Sequence, residues 1–244
     1  LNGCFYDDLR GRRPGWQRII SMLDSQLRDW LTRKPENEAH TLAMERVATM
    51  PRRRPHHLLT SIGRLVAQKA TLLLHEDASG KSAIQRIADK LGRNGVIIVL
   101  GNGEARFEER MLEVARVTPN LIFLCGYSES LADPLYHGGD LFLMPSSFEP
   151  CGISQMLAMR RGQPCIAHAI GGLRDTIIDQ ETGFLFDGST PDAQAAAFVD
   201  TTLAAITIRA DDPIRWQDIR TAAAAQRFDW ASSAKQTIEY LYDD

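Results

Sequence analysis

The sequence predicts an α/β fold, a parallel sheet with helices on both faces. Two observations predict it. From His57 to Phe186, apolar runs of strand length alternate with segments whose apolar residues recur at helical spacing; that alternation specifies right-handed crossovers and a parallel sheet. The stretch Asp140 to Pro164, DLFLMPSSFEPCGISQMLAMRRGQP, then packs strand, loop and helix together, with the carboxylate of Glu149 at the mouth of the loop. Ligands of open α/β sheets sit outside the carboxyl ends of the strands, so the expected architecture is Rossmann-like and this loop is its expected site.

Taken in order, the segment from Arg10 to Arg13 with Pro14 and Gly15 reads as a solvated loop. Residues 16–31 place Ile19, Ile20, Leu23, Leu27, Trp30 and Leu31 on one face, an amphipathic helix. A second helix is expected over 38–47. Arg52, Arg53 and Arg54 between Pro51 and Pro55 read as a solvated linker, with a phosphate patch as the other reading. Residues 57–62 form the first strand. Gly63 follows, and then Arg64 and Lys69, two cations five apart on a glycine-started loop that could grip a diphosphate together or simply be surface charges.

A helix over 82–91 and a strand over 96–100 come next. The turn Gly101-Asn102-Gly103-Glu104 then leads into a helix ending at Val117. Gly-x-Gly permits close backbone approach, but the third glycine of a dinucleotide fingerprint is absent, which argues against a nicotinamide or flavin site. The turn is either structural or a wall of a ligand site. Residues 120–125 are a strand, leading to Tyr127, which could stack on a flat base or pack. Ser128 reads as the cap of a helix ending near a wet His137.

Residues 141–144 are a buried strand, broken by Pro145. Glu149 stands before a helix closed by Gly162 and Pro164, and by position alone it could be a mere helix cap. A strand over 165–169 precedes Gly171 and Gly172, whose bare backbone at a helix start could approach a sugar or phosphate. A short strand over 184–186 and helices over 193–208, 213–226 and 230–242 complete one domain: a helical lead-in and linker over 1–55, an α/β core over 56–190 and C-terminal helices over 191–244.

A net charge of −3 gives no electrostatic case for nucleic acid, and the arginines do not interleave with aromatics. No apolar run reaches the roughly 20 residues that span a bilayer. Cys4, Cys125, Cys151 and Cys165 lie far apart, with no Cys-x-x-Cys pair to suggest zinc or a redox centre, and Cys125 and Cys165, in apolar strand-like runs, read as buried free thiols in a reducing compartment. No initiator Met precedes Leu1, and the chain reads as a fragment.

The string SSFEPCGISQMLAMRRGQP resembles the donor-site signature of bacterial glycogen synthases and plant starch synthases, where Glu-Pro-Cys-Gly-(Ile/Leu)-(Ser/Thr)-Gln precedes a helix and Gly-x-x-Pro. Arg64-Leu65-Val66-Ala67-Gln68-Lys69 resembles the family's Arg-Leu-x-x-Gln-Lys motif, with Ala70 where Gly is usual. Gly171-Gly172-Leu173-Arg174-Asp175-Thr176 is similar to its Gly-Gly-Leu-x-Asp-Thr, and Phe228-Asp229-Trp230 to its C-terminal segment. Leu1-Asn2-Gly3 resembles the remains of an Asn-Gly-(Ile/Val)-Asp turn, interrupted by Cys4 and Phe5.

The resemblance implies the C-terminal, donor-binding half of a two-domain GT-B glycosyltransferase, transferring glucose with retention from a nucleotide diphosphate glucose, ADP-glucose for a bacterial-type enzyme, to an α-1,4-glucan. It implies that Arg64 and Lys69 hold the donor phosphates in place of Mg²⁺, without metal or cofactor, and that Glu149 serves the sugar. Gly101, Gly103, Tyr127 against adenine, Cys151, Gly152, Ile153, Ser154, Gly171 and Gly172 would line the donor. Leu157 stands where the wider superfamily often has a ribose-holding Glu, which favours the glycogen synthase branch. An N-terminal domain with the acceptor site and a Lys-Thr-Gly-Gly-Leu loop is implied as partner, the chain alone being inactive, in the cytoplasm or a plastid stroma. A noncatalytic nucleotide- or glucan-binding module, or a related GT-B enzyme with another donor or acceptor, is the alternative.

Overall fold

A computed structural model of the chain describes residues 13–241. Its strands are β1 His57–Ile62, β2 Gly95–Gly101, β3 Leu121–Cys125, β4 Leu141–Met144, β5 Cys165–His168 and β6 Phe184–Phe186. All pair in parallel, in the order β3-β2-β1-β4-β5-β6. The helices are α1 Trp16–Arg33, α2 Glu38–Ala48, α3 Ala67–Leu74, α4 Ala83–Leu91, α5 Ala105–Val117, α6 Glu129–Gly138, α7 Ser154–Arg160, α8 Gly171–Thr176, α9 Pro191–Asp211, α10 Pro213–Ala225 and α11 Trp230–Leu241. The doubly wound parallel sheet expected from the alternation is what forms.

Strand side chains alternate between the two faces. Leu59, Ile97, Val99 and Leu143 pack in one core cluster with α3, α4, α5 and α9. Leu58, Ile98 and Leu100 pack in another with α1, α2 and α6, and Phe142 and Ala167 with α7 and α8. The face of α1 foreseen from its period is the buried one, with Ile19, Leu23 and Leu27 in the core. The helices read as a lead-in therefore form part of a core layer. Among the described residues no helix is long and apolar enough to cross a membrane.

Three local expectations need correction. The segment after Arg64, read as a loop, turns into α3 one residue after Val66. Val66 offers no side-chain cap, and what holds the helix is burial of Ala70, Leu72, Leu73 and Leu74 in the core, a tertiary cause absent from local sequence. Ser128 occupies the N-cap position of α6 but does not cap it; its hydroxyl donates to Gln26 Oε1 at 2.8 Å, tying α6 to α1. His137 is half-buried rather than wet, and burial, then Arg161, lowers its pKa. The Leu1-Asn2-Gly3 turn and Cys4 lie outside the described residues, as does Tyr242 at the end of the last predicted helix.

Arg13 and Arg54, assigned to solvated segments, are also not free. Both guanidiniums close on Oδ1 of Asp140, at 2.9 and 2.8 Å, and Arg209 of α9 joins them at 3.3 Å. Asp140 is 3% exposed. Its other oxygen accepts from the Leu58 N–H at 2.8 Å, where β1 begins. Ionisable residues this buried persist only when paired, and sequence separations of 69 to 127 residues hide the partners from any local reading.

Of the cysteines, Cys165 is buried and Cys125 half-buried, and both are free thiols; Cys151 is free and exposed. Burial, then Glu108, pushes the Cys125 thiol up to about 12, and burial raises that of Cys165 still more strongly, so neither is a ready nucleophile at neutral pH.

Candidate functional site

The strand order reverses between β1 and β4. Chain leaving β1 crosses to β2 on one side, while β5 and β6 lie beyond β4 on the other, and such a switch point opens a crevice at the carboxyl edge. β1 pairs with β2 over six positions, from His57 to Ile62, but with β4 over only two, Leu59 and Thr60. The two central strands then part, held at their base by Gln163, whose Nε2 donates to Thr60 Oγ1 at 2.7 Å and to the Leu141 carbonyl at 3.0 Å.

The loop after β1 carries Arg64, the first turn of α3 carries Lys69, and the loop after β4 carries Glu149. The two sides are joined directly, since the Ser147 N–H donates to the Gln68 carbonyl at 2.7 Å. Glu149, only 7% exposed, lies with Oε2 3.2 Å from Lys69 Nζ and 3.4 Å from the Ser146 hydroxyl, which donates to it. It does not cap α7, which starts five residues later with Ile153 at the N-cap and no side-chain cap bond. Arg64 is exposed, and its guanidinium has no protein partner among the described residues. One ammonium neutralised by a buried carboxylate beside one uncompensated guanidinium is an arrangement suited to a group with several anionic oxygens.

Gly101 and Gly103 serve the loop that presents Arg64. Leu65 accepts from Glu104 N and donates to Asn102 O at 2.8 and 2.9 Å, and Gly63 N donates to Leu100 O at 3.0 Å. A Cβ on Gly101 would overlap the Gly63 carbonyl, and one on Gly103 the Leu65 carbonyl. We predict that Gly101→Ala destabilises the protein by about 1–3 kcal/mol, the usual cost of overpacking, because its obstacle is backbone; urea denaturation measures it, and an unchanged midpoint would show that the loop yields freely.

Gly171 and Gly172 act on the other loop. Gly172 N donates to the Glu149 carbonyl at 3.0 Å, so that donor is already spent within the protein, against the expectation of a bare N–H offered to substrate. Gly171 has φ +45°, and a Cβ there would overlap the same carbonyl. Cys151 and Ile153 are exposed on this loop, and Gly152 and Cys151 are held by Gln155 Nε2 at 3.1 and 3.0 Å from their carbonyls. Ser154 is the first residue of α7. Tyr127 is 74% exposed beyond β3, at the same carboxyl edge but two strands from β1, roughly 10 Å at sheet spacing.

Gln155 and His168 are parts of the site that sequence reasoning passed over. His168 ends β5, buried, with Nδ1 3.0 Å from the Ser146 carbonyl. A carbonyl only accepts, so Nδ1 carries the proton. The ring stacks on Phe186 with centroids 5.2 Å apart, and Nε2 is 3.4 Å from Asp187 Oδ1. The available signal was a polar residue closing a buried strand at the carboxyl edge of the sheet.

Sheet order and crevice together are those of the α/β unit of GT-B-like glycosyltransferases. The chain belongs to the family of glycosyl transferases group 1, whose model matches residues 48–201. It is 36% identical over 197 residues to a glycogen synthase of Thioalkalivibrio sulfidiphilus, an alignment covering 77% of this chain and 38% of the relative. It is 34% identical over 255 residues to glycogen synthase 2 of Nitrosococcus oceani, covering 96% and 49%. The chain thus spans half or less of these curated relatives. Among solved structures it is similar to the catalytic domain of starch synthase IV from Arabidopsis thaliana bound to ADP and acarbose, with TM-score 0.64 and 29% identity over 84% of this chain and 41% of that one. The likeness to glycogen and starch synthases read from the motif strings is borne out.

Proposed function

We propose that this chain is the donor-binding half of a retaining glucosyltransferase that takes glucose from ADP-glucose and adds it to an α-1,4-glucan. The observation that carries the reading is the switch-point constellation: Arg64 and Lys69 line one crevice between β1 and β4, and the buried carboxylate of Glu149 pairs with Lys69 at 3.2 Å. Support comes from the glycogen synthase relatives and from a starch synthase that holds ADP. In this reading an N-terminal domain supplies the acceptor site, the complete enzyme works in the cytoplasm, and the chain is inactive without that domain.

Bond cleavage at the anomeric carbon leaves a nucleoside diphosphate bearing new negative charge and a sugar bearing developing positive charge. Arg64 is placed to neutralise the diphosphate with a bidentate fork, and Lys69 with a point charge. As Lys69 turns toward phosphate, Glu149 is released from its ion pair to sugar hydroxyls and the cationic anomeric centre. Such preorganised charge usually contributes the largest single share of rate enhancement. Gly101 and Gly103 hold the Arg64 loop, Gly171 and Gly172 hold the Glu149 loop, and Tyr127, Cys151, Gly152, Ile153 and Ser154 line the remaining approach for base and sugar.

Glu149→Gln keeps the shape and removes the charge. In the enzyme complete with its acceptor domain it is expected to lower kcat by about 10²–10³-fold, the scale of losing one transition-state electrostatic contact, with donor affinity nearly unchanged. Steady-state kinetics decides it. A variant that lost only melting temperature would reduce Glu149 to a structural residue and overturn the proposal.

A further inference from the structure

The amino-terminal edge of the sheet carries a second cationic cluster, built around the paired starts of β1 and β4. Arg13, Arg54 and Arg209 all approach one oxygen of Asp140. Three guanidinium charges against one carboxylate leave a surplus of two, and no other acidic side chain is paired with them among the described residues. Part of the surplus faces the carbonyl end of α6, where Arg13 and Arg54 donate to Gly138 O at 2.7 and 3.1 Å, a favourable place for cations. That accounts for the orientation of the two side chains but supplies only partial charge.

The cluster is open to solvent at its rim. The side chains of Arg13, Arg54 and Arg209 are 32, 28 and 20% exposed. Several donors are unspent among the described residues: there Arg13 bonds through Nη2 alone, and Nε of Arg54 and of Arg209 has no protein acceptor. Neighbouring groups register the surplus. Burial, followed by Arg209, lowers the pKa of His57, whose Nδ1 takes a bond from Arg209 Nη1 at 3.0 Å. Burial, followed by Arg13, lowers that of Arg220. Forked donors around excess positive charge are the usual means of holding tetrahedral oxyanions.

We propose that Arg13, Arg54 and Arg209 form a binding site for a phosphate-class oxyanion at the amino-terminal edge of the sheet. The site is separate from the donor crevice, since the six residues of β1 lie between them, about 20 Å at strand rise. The anion completes the neutralisation that Asp140 begins and ties the segment before α1, the linker before β1 and α9 to one centre. It therefore stabilises the fold from a point remote from the reacting sugar.

Thermal unfolding in inorganic phosphate against chloride of equal ionic strength tests this, with Arg54→Gln and Arg64→Ala run in parallel. Phosphate at ten times its dissociation constant is expected to raise the melting temperature by about 3 °C. The rise should persist in Arg64→Ala and vanish in Arg54→Gln. Methyl phosphate acting equally would assign a phosphomonoester as the ligand, and its failure beside active phosphate would assign the free anion. No rise in the unsubstituted protein, or a rise undiminished in Arg54→Gln, overturns the proposal. A rise lost only in Arg64→Ala overturns it too, because the phosphate would then sit in the donor crevice. If Arg54→Gln fails to fold, Arg13→Gln, altering the most exposed guanidinium of the three, answers the same question.

Discussion

Arg64→Ala is expected to lose donor affinity by about 10–100-fold, the scale of one charge-assisted phosphate contact, with no change in melting temperature. Lys69→Ala is expected to lose both. The difference follows from what each cation touches. Arg64 stands exposed without a protein partner among the described residues, so its removal leaves nothing behind unsatisfied. Lys69 holds Glu149 at 3.2 Å, and Glu149 is 7% exposed. Taking away the ammonium strands a carboxylate in a desolvated loop. Deleting one partner of a fully buried pair costs about 3–5 kcal/mol, and the partial exposure of Lys69 reduces this to about 1–3 kcal/mol. Donor titration beside thermal denaturation of the two variants measures it. Equal stability of both would mean that the Lys69–Glu149 pair contributes nothing to the folded state.

The second large effect concerns Asp140. Replacing it with Ala leaves three guanidiniums facing one another without their shared anion and the Leu58 N–H without its acceptor. The expected loss is about 3–5 kcal/mol, a fall of roughly 10 °C in melting temperature for a chain of this size. Phosphate should restore part of it. The same residue gives a pH dependence. Burial acts to raise its pKa, and Arg54, Arg209 and Arg13 with the Leu58 N–H overcome it, leaving the carboxyl below the ordinary range. A depressed folded-state pKa means that the stabilisation is fully present above the unfolded value of about 4 and is lost as pH falls through the lower folded value. The acid limb of a stability–pH profile should therefore flatten in Asp140→Ala; an unaltered limb would remove Asp140 from the account.

Much of the fold was legible because its signals are local. The bounds of β1, β4 and β6 coincide with apolar runs punctuated by glycine, proline or turn residues, and the buried face of α1 follows from spacing alone. Arg64, Lys69 and Glu149 were legible as residues at the ends of strands, and the structure brings Lys69 and Glu149 into contact. The rest depends on tertiary contact. Helix α3 exists because Leu72, Leu73 and Leu74 meet the core. The arginine cluster joins segments that sequence reading set apart as solvated, and His168 matters only because the Ser146 carbonyl lies 3.0 Å from its ring. Gly172 shows the opposite limit, a residue marked by its local sequence whose N–H proves to be occupied by the Glu149 carbonyl.

The most direct test of the central claim is calorimetric titration of this chain with ADP-glucose and UDP-glucose, repeated on Arg64→Ala. The account predicts saturable binding of ADP-glucose, weaker binding of UDP-glucose, and loss of the ADP-glucose signal in the variant. ADP-glucose heats unaltered by Arg64→Ala would contradict it, since the donor would then lie somewhere other than the switch-point crevice.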